Sequence, residues 1–156
     1  MKRKKTLIIQ GGGFRTGFST GVLDAFQKES YFDFDIYIGI SGGAIALSYF
    51  LSEQPGKCFD AMSLLSADPN FISYTGIMSN KGMMNVEYFH KVAEELVPFK
   101  IDRAISNSKD KQLAVVMTNR ATGATNYYRP GKKDWMDAVI ASCTLPFVTK
   151  GRHEVD

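Results

Sequence analysis

Between residues 6 and 54 the chain passes twice from a short apolar run into a helical pattern, each time through a cluster of glycines. "TLIIQ" (6–10) leads through "GGG" to "TGFSTGVLDAFQKES" (16–30), whose spacing puts Phe18, Val22, Ala25 and Phe26 on one helical face. "FDIYIGI" (34–40) leads through "SGG" to "GAIALSYFLSEQ" (43–54), apolar nearly all round and so a helix buried on most sides. Strand, helix, strand, helix at this spacing is the βαβ pattern of a parallel sheet with a right-handed crossover.

Downstream, "NVEYFHKVAEELV" (85–97) predicts an amphipathic helix with Val86, Phe89, Ala93, Leu96 and Val97 inward. "LAVVMT" (113–118) and "TNYYR" (125–129) read as strands of a loose hairpin joined by "NRATGA". "KDWMDAVIASC" (133–143) is a final helix, stopped before Pro146. The stretch 67–84 has no clear period and scattered Met, Phe and Tyr, the character of a lid or binding loop. Residues 6–156 are expected to form a single domain behind a basic tip, residues 1–5.

A chain of 156 residues suffices for one domain that buries about two-thirds of its unfolded surface. The net charge is +3, but Lys2, Arg3, Lys4 and Lys5 supply four of the positive charges. The 15 basic residues that remain are outnumbered by 16 acidic ones, which argues against a nucleic-acid face. The tip reads as a solvated terminus or as a contact for anionic lipid. Its apolar follow-on, "TLII", is far too short for a secretory leader, and no segment approaches the ~18 apolar residues of a spanning helix. Cys58 and Cys143 lack metal-like or CxxC spacing, and Cys143 falls in an apolar helical pattern as a packing residue. A cytoplasmic protein is expected, with peripheral membrane contact at most.

Gly39-Ile40-Ser41-Gly42-Gly43 has the G-x-S-x-G spacing, with a strand before it and a helix after. A nucleophile on such a tight turn brings backbones together where side chains would clash, hence glycine at Gly39 and Gly43. The turn also leaves the serine oxygen at a helix N-terminus, where a developing anion is favoured. The competing reading is an N-cap serine with convenient glycines.

The upstream cluster "QGGGFRTG" (10–17) bears on that choice. Ester hydrolysis needs backbone N–H groups held ready for an oxyanion, and Gly11, Gly12 and Gly13 can aim theirs at one point. In a parallel sheet both clusters lie at the same edge and face one crevice. A dinucleotide fingerprint would need glycine where Thr16 stands, and a phosphate P-loop would need G-K-[ST] where Gly17-Phe18-Ser19 stands.

Together the two clusters resemble the patatin-like phospholipases, marked by a Gly-Gly-Gly-x-Arg/Lys-Gly loop followed by G-x-S-x-G. "GGGFRTG" matches through Arg15 and departs at Thr16, where the family usually has glycine. "GVLDAF" (21–26) continues in the family's manner, and "ASCTLPF" (141–147) resembles its Ala-Ser-x-x-x-Pro segment. The resemblance implies a three-layer α/β/α fold with a mostly parallel sheet. It implies a Ser–Asp dyad without metal or cofactor, cleaving phospholipids or other lipid acyl esters. Ser41 would then be the nucleophile, and Gly11, Gly12 and Gly13 the oxyanion hole. Arg15 would position that loop or meet a phosphate head group, unless it is simply an exposed helix-start arginine.

The family's aspartate lies in an Asp-Gly-Gly/Ala motif after the proline segment. Asp156, ten residues after Pro146, is expected to precede that motif, leaving the base past residue 156 and this chain nearly inactive by itself. A domain cut there would expose a strand edge and self-associate. His90 falls near the inward face of its helix and reads as packed; His153 has no structural anchor. Asp24 and Asp33 read as solvated. Two other functions share the same fold: a non-catalytic lipid- or acyl-chain-binding module, and an acyltransferase.

Overall fold

The computed structural model describes residues 3–73, 82–146, 148–150 and 155. Four strands form one sheet in the order β1-β2-β3-β4: β1 Thr6–Ile9, β2 Ile36–Ile40, β3 Gln112–Thr118 and β4 Thr125–Tyr128. β1–β2 and β2–β3 are parallel, with Ile9 opposite Gly39 and Ile40 opposite Val116. β3–β4 is antiparallel, as the hairpin reading requires. The α/β class with a mostly parallel sheet is therefore the one expected.

Period-2 alternation decides which residues each sheet face carries. Ile9, Tyr37, Gly39, Leu113 and Val115 share the buried face. Helix α2 (Gly42–Leu51) packs there, with the Phe50 ring 6.3 Å from that of Tyr37. All of α2 but Ile45 is buried, as an all-round apolar helix should be. Ile36, Ile38, Ile40, Ala114 and Val116 line the opposite face and are only half-buried, while Ile8 is 60% exposed.

Helix α1 (Thr16–Lys28) forms where expected but presents a different face. Thr16, Thr20 and Leu23 are its buried residues, whereas Ala25 is exposed, Val22 is 40% exposed and Phe18 is 83% exposed. Close approach sets the rotation. A Cβ on Gly42 would stand 2.5 Å from Thr16 Oγ1, so α1 meets the first turn of α2 through small residues, and Phe18 and Val22 turn outward. Phe26 alone of the expected stripe is part of the packing, its ring 5.4 Å from Tyr31 and 5.9 Å from Phe34.

Helix α3 (Lys57–Ala67) follows Gly56, which is left-handed at φ 75, and buries Cys58, Ala61, Met62 and Leu65. The predicted helix over 85–97 is an α-helix, α4 (Val86–Lys91), followed by a π-helical turn over Val92–Leu96. Val86, Phe89, Ala93 and Val97 are buried as expected, but Leu96 is 59% exposed. The wider turn, closed by Val97 N–H donating to the Val92 carbonyl, moves Leu96 out of the stripe. Helix α5 (Ile101–Ser108) precedes β3, and α6 (Trp135–Cys143) closes the described core. Trp135 is 1% exposed, and its Nε1–H donates to Ser48 Oγ at 2.9 Å, joining α6 to α2.

The 67–84 connection is tied at its ends: Phe71 is buried, and Met84 bridges both Ile72 and Thr149. Residues 74–81, the middle of the proposed binding loop, lie outside the described residues, as do Phe147, His153 and Asp156. Among the described residues no helix is long and apolar enough to cross a membrane. Lys5 is paired with Asp33, so part of the basic tip already has a protein partner.

Candidate active site

β2 ends at Ile40 and α2 begins at Gly42, leaving Ser41 alone to make the turn. Its backbone sits at φ 53, ψ −127, where a residue with a side chain is strained. Ser41 occupies the N-cap position of α2, yet its side chain makes no capping hydrogen bond. The cap reading of this serine therefore fails on geometry. The helix is closed instead by the Ser41 carbonyl, which accepts from the Ala44 N–H at 2.7 Å.

The flanking glycines are required by contact. A Cβ on Gly39 would stand 2.7 Å from the Ala44 Cα, and one on Gly43 would stand 2.2 Å from the Ile9 carbonyl oxygen. The turn thus rests on the end of β1, which places the first glycine cluster beside it. A Cβ on Gly11 would lie 2.9 Å from the Ser41 Cβ and 3.5 Å from its Oγ. The two clusters, far apart in sequence, meet at one serine.

Past Gly11 the loop turns sharply. Gly13, at φ 55, opens the 3-10 turn Gly13–Arg15, and the Arg15 N–H donates to the Gly12 carbonyl at 3.2 Å. Arg15 is exposed, and its guanidinium folds back over Gly12, Nε standing 3.4 Å from where a Cβ there would be. Phe14 stacks edge-on against Phe71 at 6.1 Å, linking the glycine loop to the 67–84 connection.

A third segment reaches the serine from the end of α6. The Ser41 N–H donates to Ser142 Oγ at 2.8 Å, and that hydroxyl donates to the Val116 carbonyl at 2.6 Å. Next to it, the Cys143 thiol lies near the Ser41 hydroxyl. Burial pushes the Cys143 thiol up to about 12, with the Ser41 hydroxyl drawing it partly back. A thiol held neutral at ordinary pH is a poor proton acceptor, so Cys143 packs against the serine without serving as its base. Sequence reasoning singled out "ASCTLPF" as a motif and Cys143 as packing, but not the contact of Ser142 and Cys143 with Ser41. The parallel β2–β3 pairing, which brings α6 over the same sheet edge, was the signal available.

The other weighed groups lie elsewhere. His90 Nδ1 stands 3.3 Å from Glu94 Oε1 on a half-exposed helix face. Asp33 is on the surface with Lys5, and Asp24 is near Cys58, whose thiol burial raises first and the Asp24 charge raises further. Among the described residues no group of three or more His, Cys, Asp or Glu is placed to hold a metal ion.

A family model, Patatin-like phospholipase, matches residues 7–156 of this chain. The chain is also similar to the "Uncharacterized protein YjjU" of Escherichia coli (strain K12), at 28% identity over 141 residues. That match covers 90% of this chain and 40% of YjjU, so the chain spans about two-fifths of the relative's length. With the match running from the start of β1 through both glycine clusters and the α6 segment, the chain belongs to the patatin-like phospholipase family.

Proposed function

We propose that this chain carries the nucleophile and oxyanion loop of a serine acyl hydrolase acting on phospholipids or other lipid acyl esters. The reading rests on the family match and on one observation above all: a strained Ser41 whose hydroxyl is not spent on capping, set against Gly11. Ser41 Oγ attacks the acyl carbonyl carbon and its proton passes to an aspartate. The carbonyl oxygen becomes an anion facing the Gly11, Gly12 and Gly13 amides. Collapse expels the alcohol, which takes the proton, and leaves an acyl-Ser41 ester. Water, deprotonated by the same aspartate, then releases the fatty acid.

The aspartate is proposed to come from past residue 156, in the family's Asp-Gly-Gly/Ala motif. Arg15, exposed beside Gly12, is proposed to hold the loop or to meet a phosphate head group.

A fluorophosphonate probe and short-chain p-nitrophenyl esters test this on three proteins: this chain, a chain extended past Asp156, and the extended chain with Ser41→Ala. Labelling and turnover that require both Ser41 and the extension are expected. Equal turnover with and without Ser41 overturns the nucleophile. Full labelling of the 156-residue chain overturns the external base. Liposome binding without turnover in any form favours the binding module, and acyl transfer to an added alcohol in place of water favours the acyltransferase.

A further inference from the structure

One side chain holds the backbone of Ser41, and it comes from the last turn of α6. Ile40 and Val116 form the last rung of the β2–β3 pairing. One residue further, the Ser41 N–H and the Val116 carbonyl are joined through the Ser142 hydroxyl, which accepts from the first at 2.8 Å and donates to the second at 2.6 Å. A hydroxyl suits this place because it accepts and donates at once through a single rotor. An inserted hydroxyl also leaves Ser41 free to turn out of the ladder while its N–H stays satisfied.

The glycines around Ser41 give its turn room, but room does not fix a conformation. A backbone at φ 53, ψ −127 persists where surrounding contacts over-determine it, and the bridge through Ser142 is such a contact. Its other end is anchored on a strand, and its own residue lies in the last turn of α6. Resting on the hydrolase reading above, we propose that Ser142 is a positioning residue: its hydroxyl fixes the Ser41 backbone so that Oγ stays aimed at the acyl carbonyl. It touches neither the substrate nor the reacting atoms, and acts only through the Ser41 amide.

The test compares Ser142→Ala, Ser142→Thr and Ser142→Val, since Thr and Val share a shape and differ by the hydroxyl. Hydrogen exchange of the Ser41 amide is followed by NMR in this chain, with thermal melts to identify the folded variants. kcat and KM for a p-nitrophenyl ester are measured in the extended chain, with Ser41→Ala as control. In Ala and Val the Ser41 amide is expected to exchange faster, and kcat to fall about ten- to a hundredfold with KM little changed. Thr is expected to keep both near the parent values. An unaltered kcat in a folded Ala or Val variant overturns the proposal, as does an equal loss in Thr and Val. If the parent shows no Ser41-dependent turnover while the amide still depends on Ser142, the hydrolase reading has failed and the bridge is structural only. If turnover is normal and the amide is indifferent to Ser142, the hydrolase reading stands and this proposal falls.

Discussion

A methyl group on Gly43 would stand 2.2 Å from the carbonyl oxygen of Ile9 and 2.6 Å from that of Gln10. The first turn of α2 therefore lies directly on the backbone that ends β1, with no layer of side chains between them. Both atoms met are main chain, so neither can swing aside. Gly43→Ala is expected to destabilise the fold by about 3 kcal/mol or more, read as a lower denaturant midpoint. Gly21→Ala is the control: nothing lies within 4 Å of a Cβ there, on an exposed turn of α1. That change should stabilise by about 0.5–1 kcal/mol.

The rotation of α1 can be checked by a matched pair of truncations. Leu23 is 4% exposed and Phe18 is 83% exposed. Leu23→Ala should cost about 2–5 kcal/mol of unfolding free energy. Phe18→Ser should stay within about 0.5 kcal/mol of the parent, although it removes the larger side chain. A larger loss at Phe18 would restore the face that the apolar spacing suggested.

Alkaline stability should fall in a way set by buried acids. Burial raises the Cys58 thiol and the Tyr49 hydroxyl above their ordinary values, and pushes Cys143 up to about 12. A thiol in the unfolded chain ionises near its ordinary pKa of about 8.5. Above that pH the native state holds protons that the unfolded state has lost, so stability is full below about pH 8.5 and declines as pH rises toward 12. Urea midpoints under reducing conditions at pH 7, 9 and 10.5 should decrease in that order. Cys58→Ala should flatten the decline relative to its own value at pH 7, and a slope unchanged by the substitution would remove the thiol from the account.

Self-association is the expected behaviour of the sheet face that is only half-buried among the described residues. Ile8 is 60% exposed on β1, which ends the strand order, and half-buried Ile36, Ile38 and Ile40 continue its face on β2. Light scattering of the 156-residue chain should give a mass above 17.3 kDa that grows with concentration. Ile8→Lys should shift it toward the monomer, and a parent that is monodisperse and monomeric at high concentration would refute the idea.

Much of the fold could be read from residue order because the relevant signals are local. β1, α1, β2 and α2 come from apolar runs interrupted by glycine, and the βαβ rule then dictates their parallel pairing. The glycine clusters were legible for the same reason: the tolerance they provide at Gly39 and Gly43 is written at fixed offsets from Ser41. Rotation is a different matter. Which stripe of α1 turns inward depends on Thr16 meeting Gly42, a contact between elements that no period within α1 encodes. Leu96 left its stripe because the helix widened to a π turn, again through a choice invisible to a 3.6-residue count. α3 was written in the sequence, its Cys58, Ala61, Met62 and Leu65 at helical spacing, but the short stretch around it blurred the pattern. The Ser142 bridge could not be read at all, since it joins residues 101 apart in the chain.

That separation also governs the order in which the site comes into being. At about 5–20 residues per second, a ribosome that has just added Ser41 needs roughly another 5–20 s to reach Ser142. Until then β1, β2 and both glycine clusters exist, while the hydroxyl that ties the serine's backbone to the sheet does not. A growing chain therefore carries an unfastened serine until Ser142 is added, and acquires a preset one only as the last turn of α6 docks.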